Sequence, residues 1–131
     1  MKIDHIGIAV EELESALPFY RDALGLNYKG QEEVEDQGVK VAFLELGESK
    51  IELLEPLHDE SPIARHLAHR GEGIHHLAVE VTEDIEAKVE KMQADGVDFI
   101  GDEPSAGAGD KQIIFIHPKS TNGVLLELCQ D

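Results

Sequence analysis

The segment Asp4-His5-Ile6-Gly7-Ile8-Ala9-Val10 recurs without a gap as His-His-Leu-Ala-Val-Glu-Val at residues 75–81. The alignment matches His5 to His76 and Val10 to Val81, which makes the two segments a candidate internal repeat. In both copies, large apolar residues alternate with histidine and with small or polar residues, as in a strand that buries one face. The small residues leave room beside each histidine. We therefore expect two copies of one module, each beginning with this strand.

A helix is predicted to follow each of these strands. Residues 11–24 carry apolar side chains at helical spacing, although Pro18 inside this range removes a helix hydrogen bond. The proline predicts a kink or a late start of the first helix. In the second half, Thr82 is the predicted N-cap of a helix over residues 83–95, and Gly96 is expected to end it.

The spacing of apolar residues changes to that of strands after each helix. Strands are predicted at residues 27–34, 39–46 and 49–56 in the first half, and at 97–101, 111–117 and 123–129 in the second. Residues 57–72 are interpreted as a linker with a short helix that Ser61-Pro62 opens. Each half then has the order β-α-β-β-β. The predicted fold class is α+β, with two tandem βαβββ modules (1–56 and 73–131) forming a curved mixed β-sheet within a single domain over residues 1–131.

Composition narrows the classes of function. The chain has 28 acidic and 11 basic residues and a formal charge of −17, which disfavours binding to nucleic acid or to anionic membranes. No apolar run approaches the roughly 20 residues of a membrane-spanning helix, and the N-terminus lacks the pattern of a secretory signal. We therefore predict a cytoplasmic protein with no nucleic-acid or membrane partner. Because Cys129 is the only cysteine, any metal must be held by nitrogen and oxygen ligands.

Two histidines and two glutamates occupy matching places in the two predicted modules. His5 and His76 lie on the first strand of each module, whereas Glu52 and Glu127 lie on the last. A single acid among large apolar residues on a strand indicates a polar cavity, because burying an unpaired carboxylate is costly. Taken singly, each residue would more often be a hydrogen-bonded histidine or a solvated glutamate. Their joint recurrence favours one divalent metal ion, Co²⁺, Mn²⁺, Mg²⁺, Ni²⁺ or Zn²⁺, held by all four side chains with two positions open.

The neighbouring His75 is predicted to have a different role. Successive side chains on a strand point to opposite faces, so His75 shares its face with Leu77 and Val79 rather than with His76. We therefore assign His75 to packing or to hydrogen bonding around the site, and not to the metal itself.

Several short motifs spread over essentially the whole chain carry a resemblance to a known family. They lie at residues 4–10, 52–57, 59–64, 73–78, 102–104, 117–120 and 123–128. On these motifs the chain resembles the vicinal oxygen chelate superfamily (glyoxalases, bleomycin resistance proteins and dioxygenases), and within it the methylmalonyl-CoA epimerase family. The histidine and glutamate anchors alone indicate only the superfamily. The segment His117-Pro118-Lys119-Ser120, followed by Gly-Val-Leu-Leu-Glu-Leu, is what points to the epimerases.

The resemblance implies roles for the residues singled out above. It makes His5, Glu52, His76 and Glu127 the metal ligands, and it brings Glu127 close enough to the substrate to act as the proton-transfer base. The family often has glutamine where this chain has Glu52, and the extra negative charge would weaken the Lewis acidity of the metal and favour harder cations.

Some members carry a second catalytic glutamate, which aligns with Val41. Glu45 on the same strand face and a metal-bound water are weaker substitutes for it.

The resemblance implies a metal-dependent epimerase that interconverts (R)- and (S)-methylmalonyl-CoA by removing and returning the α-proton through a metal-stabilised enediolate. The expected partners are a small-molecule acyl-CoA and a second copy of the chain in a homodimer. Candidate contacts for the CoA tail are Lys111, Lys119 and the Gly107-Ala108-Gly109 loop, although each is more simply a solvated lysine or a turn. Two alternatives stay open, a glyoxalase I-like isomerase (lactoylglutathione lyase) and a non-catalytic ligand-binding protein of the same fold.

Overall fold

In the computed structural model, which describes residues 1–131, the repeated segment forms two strands, β1 (Lys2–Ala9) and β5 (Gly73–Glu80). The other strands are β2 (Asn27–Val34), β3 (Val39–Leu46), β4 (Ser49–Pro56), β6 (Phe99–Ala106), β7 (Gln112–Ile116) and β8 (Leu126–Gln130). The α-helices are α1 (Leu13–Leu17), α2 (Pro62–Arg70) and α3 (Ile85–Ala94). The elements therefore follow the order β-α-β-β-β twice, with α2 between the two copies, as the repeat predicts.

The chain divides into an N-terminal unit, His5–His75, and a C-terminal unit made of Met1–Asp4 and His76–Asp131. In the N-terminal unit the strand order is β2-β3-β4-β1, with β1 parallel to β4 and the other neighbours antiparallel. Its core is formed by Val10, Leu13, Leu17, Ala42, Leu44, Ile51 and Leu53. Because side chains alternate along a strand, the core residues of β4 turn Glu52 to the opposite face of the sheet.

In the C-terminal unit the strand order is β5-β8-β7-β6, with β5 parallel to β8 and the other neighbours antiparallel. Helix α3 buries Ile85 and Val89 against one face of this sheet. Val81, Ile114, Ile116 and Leu128 complete that core. The residues that alternate with them, including Glu127, therefore face away from α3.

The single cysteine, Cys129, is fully buried within β8. It packs with Ala78 and Ile113, and its Sγ donates a hydrogen bond to the backbone oxygen of Val79 at 3.5 Å. Burial raises the pKa of the Cys129 thiol well above its usual range. The thiol is therefore kept protonated and shielded from solvent.

The first helix is interrupted at the proline, as the sequence predicts. Helix α1 ends at Leu17, and Pro18–Ala23 continues as a π-helical segment in which the backbone N–H of Leu24 donates to the oxygen of Phe19 at 2.7 Å. Proline has no N–H to complete the α-helical ladder at this point, so the wider turn takes its place. No helix in the structure has the length and apolar character needed to cross a membrane.

Helix α2 begins where Ser61-Pro62 predicts it. The Ser61 Oγ accepts a hydrogen bond from the backbone N–H of Ala64 at 3.0 Å, and Pro62 occupies the first helical position. The turn between β2 and β3 packs against this helix start, because a Cβ at Gly38 would lie 2.9 Å from the Cβ of Ser61. Gly38 also has φ 65°, which a residue with a side chain rarely adopts.

The start of α3 corrects the predicted N-cap. Asp84, and not Thr82, caps the helix, since its Oδ2 accepts from the backbone N–H of Ala87 at 3.1 Å. In addition, the backbone N–H of Ile85 donates to Oε1 of Gln130 at 3.0 Å, which ties the helix start to β8. The predicted N-cap was wrong because Asp84, two residues later, offers a carboxylate oxygen to the first turn of the helix.

Two strands of the C-terminal unit also differ from their predicted bounds. Strand β6 extends to Ala106, into a predicted loop, because Ser105 and Ala106 pair with β7 after a shift of register. Strand β8 starts only at Leu126, because Asn122 and Gly123 adopt φ values of 60° and 91° in a turn before it. The predicted strand at 123–129 is thus shorter than expected.

Leu53→Ala should test the core of the N-terminal unit. Leu53 is 0% exposed, so its truncation should leave a cavity and lower the free energy of unfolding by about 2–5 kcal/mol. Leu46, which is 47% exposed, offers a matched control, and Leu46→Ala should change that free energy by no more than about 0.5 kcal/mol. Urea unfolding followed by circular dichroism measures both variants. Equal losses would show that Leu53 is not a core residue.

Candidate metal centre

The N-terminal unit holds a buried histidine and glutamate pair. His5 Nδ1 lies 3.2 Å from Glu52 Oε2, and both residues are 4% exposed. In the strand register, Glu52 of β4 lies beside Gly7 of β1, which has no side chain to fill the space. His5 precedes Gly7 by two residues and therefore points to the same face. The pairing of β1 with β4 thus brings His5 and Glu52 together.

The C-terminal unit repeats this arrangement. His76 Nε2 lies 3.5 Å from Glu127 Oε1, with 6% and 4% of these residues exposed. In the register, Glu127 of β8 lies beside Ala78 of β5, the counterpart of Gly7 in the repeat. A small residue therefore leaves room for the carboxylate in both units.

Each glutamate also has a phenylalanine directly opposite it on the neighbouring antiparallel strand. Phe43 pairs with Glu52, and Phe115 pairs with Glu127. The ring of Phe115 meets the ring of His76 edge to face, with centroids 5.4 Å apart and planes at 88°. Neither aromatic residue stands out in the sequence. The signal that could have found them is the strand register, which depends on the lengths of the connecting loops.

The two pairs fit the ligands of a divalent cation. Atoms bound to one ion at about 2.1 Å lie roughly 3.0 Å apart at right angles and roughly 3.4 Å apart in a tetrahedron. The nitrogen-to-oxygen distances of both pairs are close to these values. The four side chains also belong to buried groups of histidine and acidic residues that could hold a metal ion. Each unit therefore contains one buried imidazole and one buried carboxylate, which are donors that suit first-row divalent metals.

His75 lies outside both pairs, against helix α2. Its ring meets the ring of His66 edge to face, with centroids 5.1 Å apart. Burial lowers the pKa of His75 to about 4, and the charge of His66 acts in the same direction. At neutral pH His75 is therefore an uncharged packing residue, as its strand parity predicts.

Lys111, a predicted contact for the CoA tail, is engaged within the C-terminal unit. Its side chain is 12% exposed, its Nζ lies 3.4 Å from Asp4 Oδ1, and it also pairs with the carboxylate of Asp131. Burial alone would lower the pKa of Lys111, but the hydrogen bond to Asp131 and the charge of Asp4 outweigh it and raise the pKa. An ammonium group held between two carboxylates is poorly placed to bind a phosphate.

The other candidates for the CoA tail are more open. Lys119 Nζ is exposed and lies 3.4 Å from Asp98 Oδ2. In the glycine loop, Ala108–Asp110 forms a 3₁₀ turn. A Cβ at Gly107 would come within 2.8 Å of the Ile113 side chain. Glycine at this position is therefore explained by close packing and needs no ligand.

Neither candidate position for a second base, Val41 or Glu45, provides a buried acid. Val41 is 1% exposed and pairs with Leu54, so its position is apolar and offers no acid. Glu45 is exposed, and its Oε1 accepts a hydrogen bond from Asn27 Nδ2 at 2.7 Å. Glu45 therefore lies at an exposed end of β3 and already has an amide partner.

Known proteins resemble this chain over most of its length. Residues 4–115 match the Glyoxalase/Bleomycin resistance protein/Dioxygenase superfamily. The ethylmalonyl-CoA/methylmalonyl-CoA epimerase of Cereibacter sphaeroides is 43% identical over 131 residues, covering 98% of this chain and 97% of that protein.

Solved structures show the same likeness. A hypothetical protein from Bacillus halodurans C-125 is 53% identical with a TM-score of 0.96, covering 99% of this chain and 94% of that one. A methylmalonyl-CoA epimerase in complex with methylmalonyl-CoA and NH4⁺ is 38% identical with a TM-score of 0.94, covering 99% and 94% of the two chains. These similarities run over nearly the full length and confirm the fold predicted from the repeat. The chain therefore belongs to the Glyoxalase/Bleomycin resistance protein/Dioxygenase superfamily and has its vicinal oxygen chelate fold.

Proposed function

We propose that this chain is a metal-dependent epimerase that interconverts (R)- and (S)-methylmalonyl-CoA. The observation that carries the proposal is the full-length similarity, in sequence and in fold, to proteins named as epimerases of this substrate. The two buried histidine and glutamate pairs supply the polar groups that such chemistry needs. A small acyl-CoA is accordingly the proposed substrate.

His5, Glu52, His76 and Glu127 are the proposed ligands of one divalent metal ion. Their burial, donor types and pair distances support this assignment. When bound, a divalent cation supplies electrostatic stabilisation of the negative charge that develops on the thioester during loss of the α-proton. Co²⁺, Mn²⁺, Mg²⁺, Ni²⁺ and Zn²⁺ are the candidates, and the carboxylate of Glu52, where relatives often have an amide, favours the harder ones.

Glu127 is the proposed base that takes the α-proton from one face of the substrate. A carboxylate that is 4% exposed is shielded from bulk water and keeps a fixed position, which favours proton transfer to a bound substrate. His76 and Ala78 lie beside it on β5, and Phe115 lies beside it on β7, all on the same face of the sheet. Return of the proton to the opposite face requires a second acid, for which Val41 offers no group.

We also propose that the two units act as one domain and that two copies of the chain form a homodimer in the cytoplasm. Ile3 and Ile74, which occupy matching positions in the repeat, are 45% and 68% exposed. Apolar residues at such positions suit a surface covered by a second copy. Light scattering on the purified protein establishes the oligomeric state.

Removal of the metal should strongly slow exchange of the substrate α-proton. Loss of the α-proton signal of methylmalonyl-CoA in D₂O, followed by NMR, should slow on the order of 10²-fold or more after treatment with a chelator, because the cation contributes several kcal/mol of charge stabilisation. Restoring each candidate metal separately should recover the rate and rank the metals. Unchanged exchange in protein shown to be metal-free by elemental analysis would contradict the proposal.

The same preparation separates the two alternatives. A glyoxalase I-like isomerase would convert the hemithioacetal of methylglyoxal and glutathione and leave the α-proton of methylmalonyl-CoA in place. A ligand-binding protein would do neither. Burial of a complete histidine and glutamate pair in each unit favours catalysis over simple binding, because binding proteins of this fold commonly lack the full ligand set.

A further inference from the structure

Phe115 lies on the sheet face that carries both His76 and Glu127. It is directly opposite Glu127 in the pairing of β7 with β8, and opposite residues of an antiparallel pair share one face. Its ring meets the His76 ring at 5.4 Å and 88°. The half-buried side chain also packs against the buried cluster of Ala78, Ile113 and Cys129. Phe115 therefore lies next to both His76 and Glu127, and its own position is fixed by packing against this cluster.

These contacts add to the restriction of the His76 and Glu127 side chains, which also pair with each other at 3.5 Å. Rotation of an imidazole or of a carboxylate about its last bond meets only a broad energy profile, so neighbours must fix the orientation. An edge-to-face contact defines the plane of the His76 ring, since tilting the ring would lose the favourable geometry. In the strand register, Phe115 of β7 and Ala78 of β5 are the residues on either side of Glu127 of β8.

We propose that Phe115 is a positioning residue of the site, which holds the His76 imidazole and the Glu127 carboxylate in the orientation that they use. The inference rests on the proposed function, because it concerns how a ligand and the base are held. Residues around metal ligands often orient them through hydrogen bonds. Here the contact between the Phe115 and His76 rings would orient the ligand instead. Phe43, opposite Glu52, occupies the equivalent place in the N-terminal unit.

The experiment compares Phe115→Leu with Ile114→Ala. Ile114 is buried on the same strand, but it faces the core beside α3, so its truncation loosens β7 without touching the pair. Phe115→Leu should weaken Co²⁺ binding roughly 10-fold or more, as loss of partners around metal ligands commonly does. It should also alter the visible spectrum of bound Co²⁺ and lower kcat for α-proton exchange with KM nearly unchanged. Phe115→Tyr, which keeps the ring, should restore the spectrum and most of kcat.

Ile114→Ala should lower the thermal midpoint yet leave the Co²⁺ spectrum and kcat as in the unmodified protein. If Phe115→Leu does not fold, Phe115→Met, whose unbranched and flexible side chain can fill an irregular gap, takes its place in the same measurements. A spectrum and kcat unchanged in the folded variant would overturn the role of Phe115 while leaving the proposed function intact. The same changes in Ile114→Ala would overturn it too, since they would reflect a loosened strand. Failure of the unmodified protein to exchange the α-proton with any of the candidate metals would overturn the proposed function, and the Phe115 inference with it.

Discussion

Glu127→Gln should retain at least part of the metal while losing α-proton exchange on the order of 10²-fold or more, because general-base contributions commonly reach that size. Glutamine has nearly the same shape as glutamate, and its amide oxygen can still coordinate weakly, but it cannot accept the proton. Metal content by elemental analysis and loss of the α-proton signal in D₂O measure the two effects on one preparation.

The matched control is Glu52→Gln in the other unit. Glu52 has the same kind of surroundings as Glu127, namely a histidine, a small residue and a phenylalanine, but it is proposed as a ligand only. Since many relatives have glutamine at this position, Glu52→Gln should keep substantial activity. If Glu127→Gln exchanged the α-proton at a near-normal rate with full metal, the base would have to be reassigned, and Glu45 would be tested first.

His76→Asn should release the metal and, with it, the catalytic activity. The imidazole of His76 is 6% exposed and lies 3.5 Å from the Glu127 carboxylate, so its loss removes one of the four proposed ligands from a buried site. Asparagine is too short to reach the same point with a nitrogen or oxygen donor. Dialysis followed by elemental analysis should find little metal bound to this variant.

His75→Asn is the adjacent control, because it changes the neighbouring residue to the same side chain. His75 packs against His66 on the other face of β5, so its substitution should lower stability and leave metal content unchanged. Equal loss of metal in both variants would show that the ligand was assigned to the wrong histidine.

The parts of the fold that sequence reasoning predicts are those that depend on near neighbours in the chain. The alternation in residues 4–10 and 75–81 marks two strands, because a strand that buries one face must repeat with period two. Ser61-Pro62 marks the start of α2 for a similar reason, since capping and the fixed proline φ act within one turn. The two histidines lie on those strands, which is why the repeat leads to them.

The parts that it misses depend on residues far apart in sequence. The link between α3 and β8 is one case, because the side chain of Gln130 accepts a hydrogen bond from the backbone of Ile85, and no local pattern in the sequence shows this. Phe115 is another case. It lies beside Glu127 only because of the register of β7 and β8, whose connecting loop differs in length from the short turn between β3 and β4.

The burial of Cys129 protects its thiol from oxidation and alkylation only while the protein is folded. Oxidants and alkylating reagents attack the thiolate form of cysteine. Cys129 is fully buried and its pKa is raised, so almost no thiolate is present or accessible in the folded protein. Modification must therefore wait until β8 separates from its neighbours. Because Glu127 lies two residues earlier on the same strand, any opening that exposes the sulfur also displaces the proposed base. Chemical damage at the only cysteine would thus follow the loss of the site and not cause it.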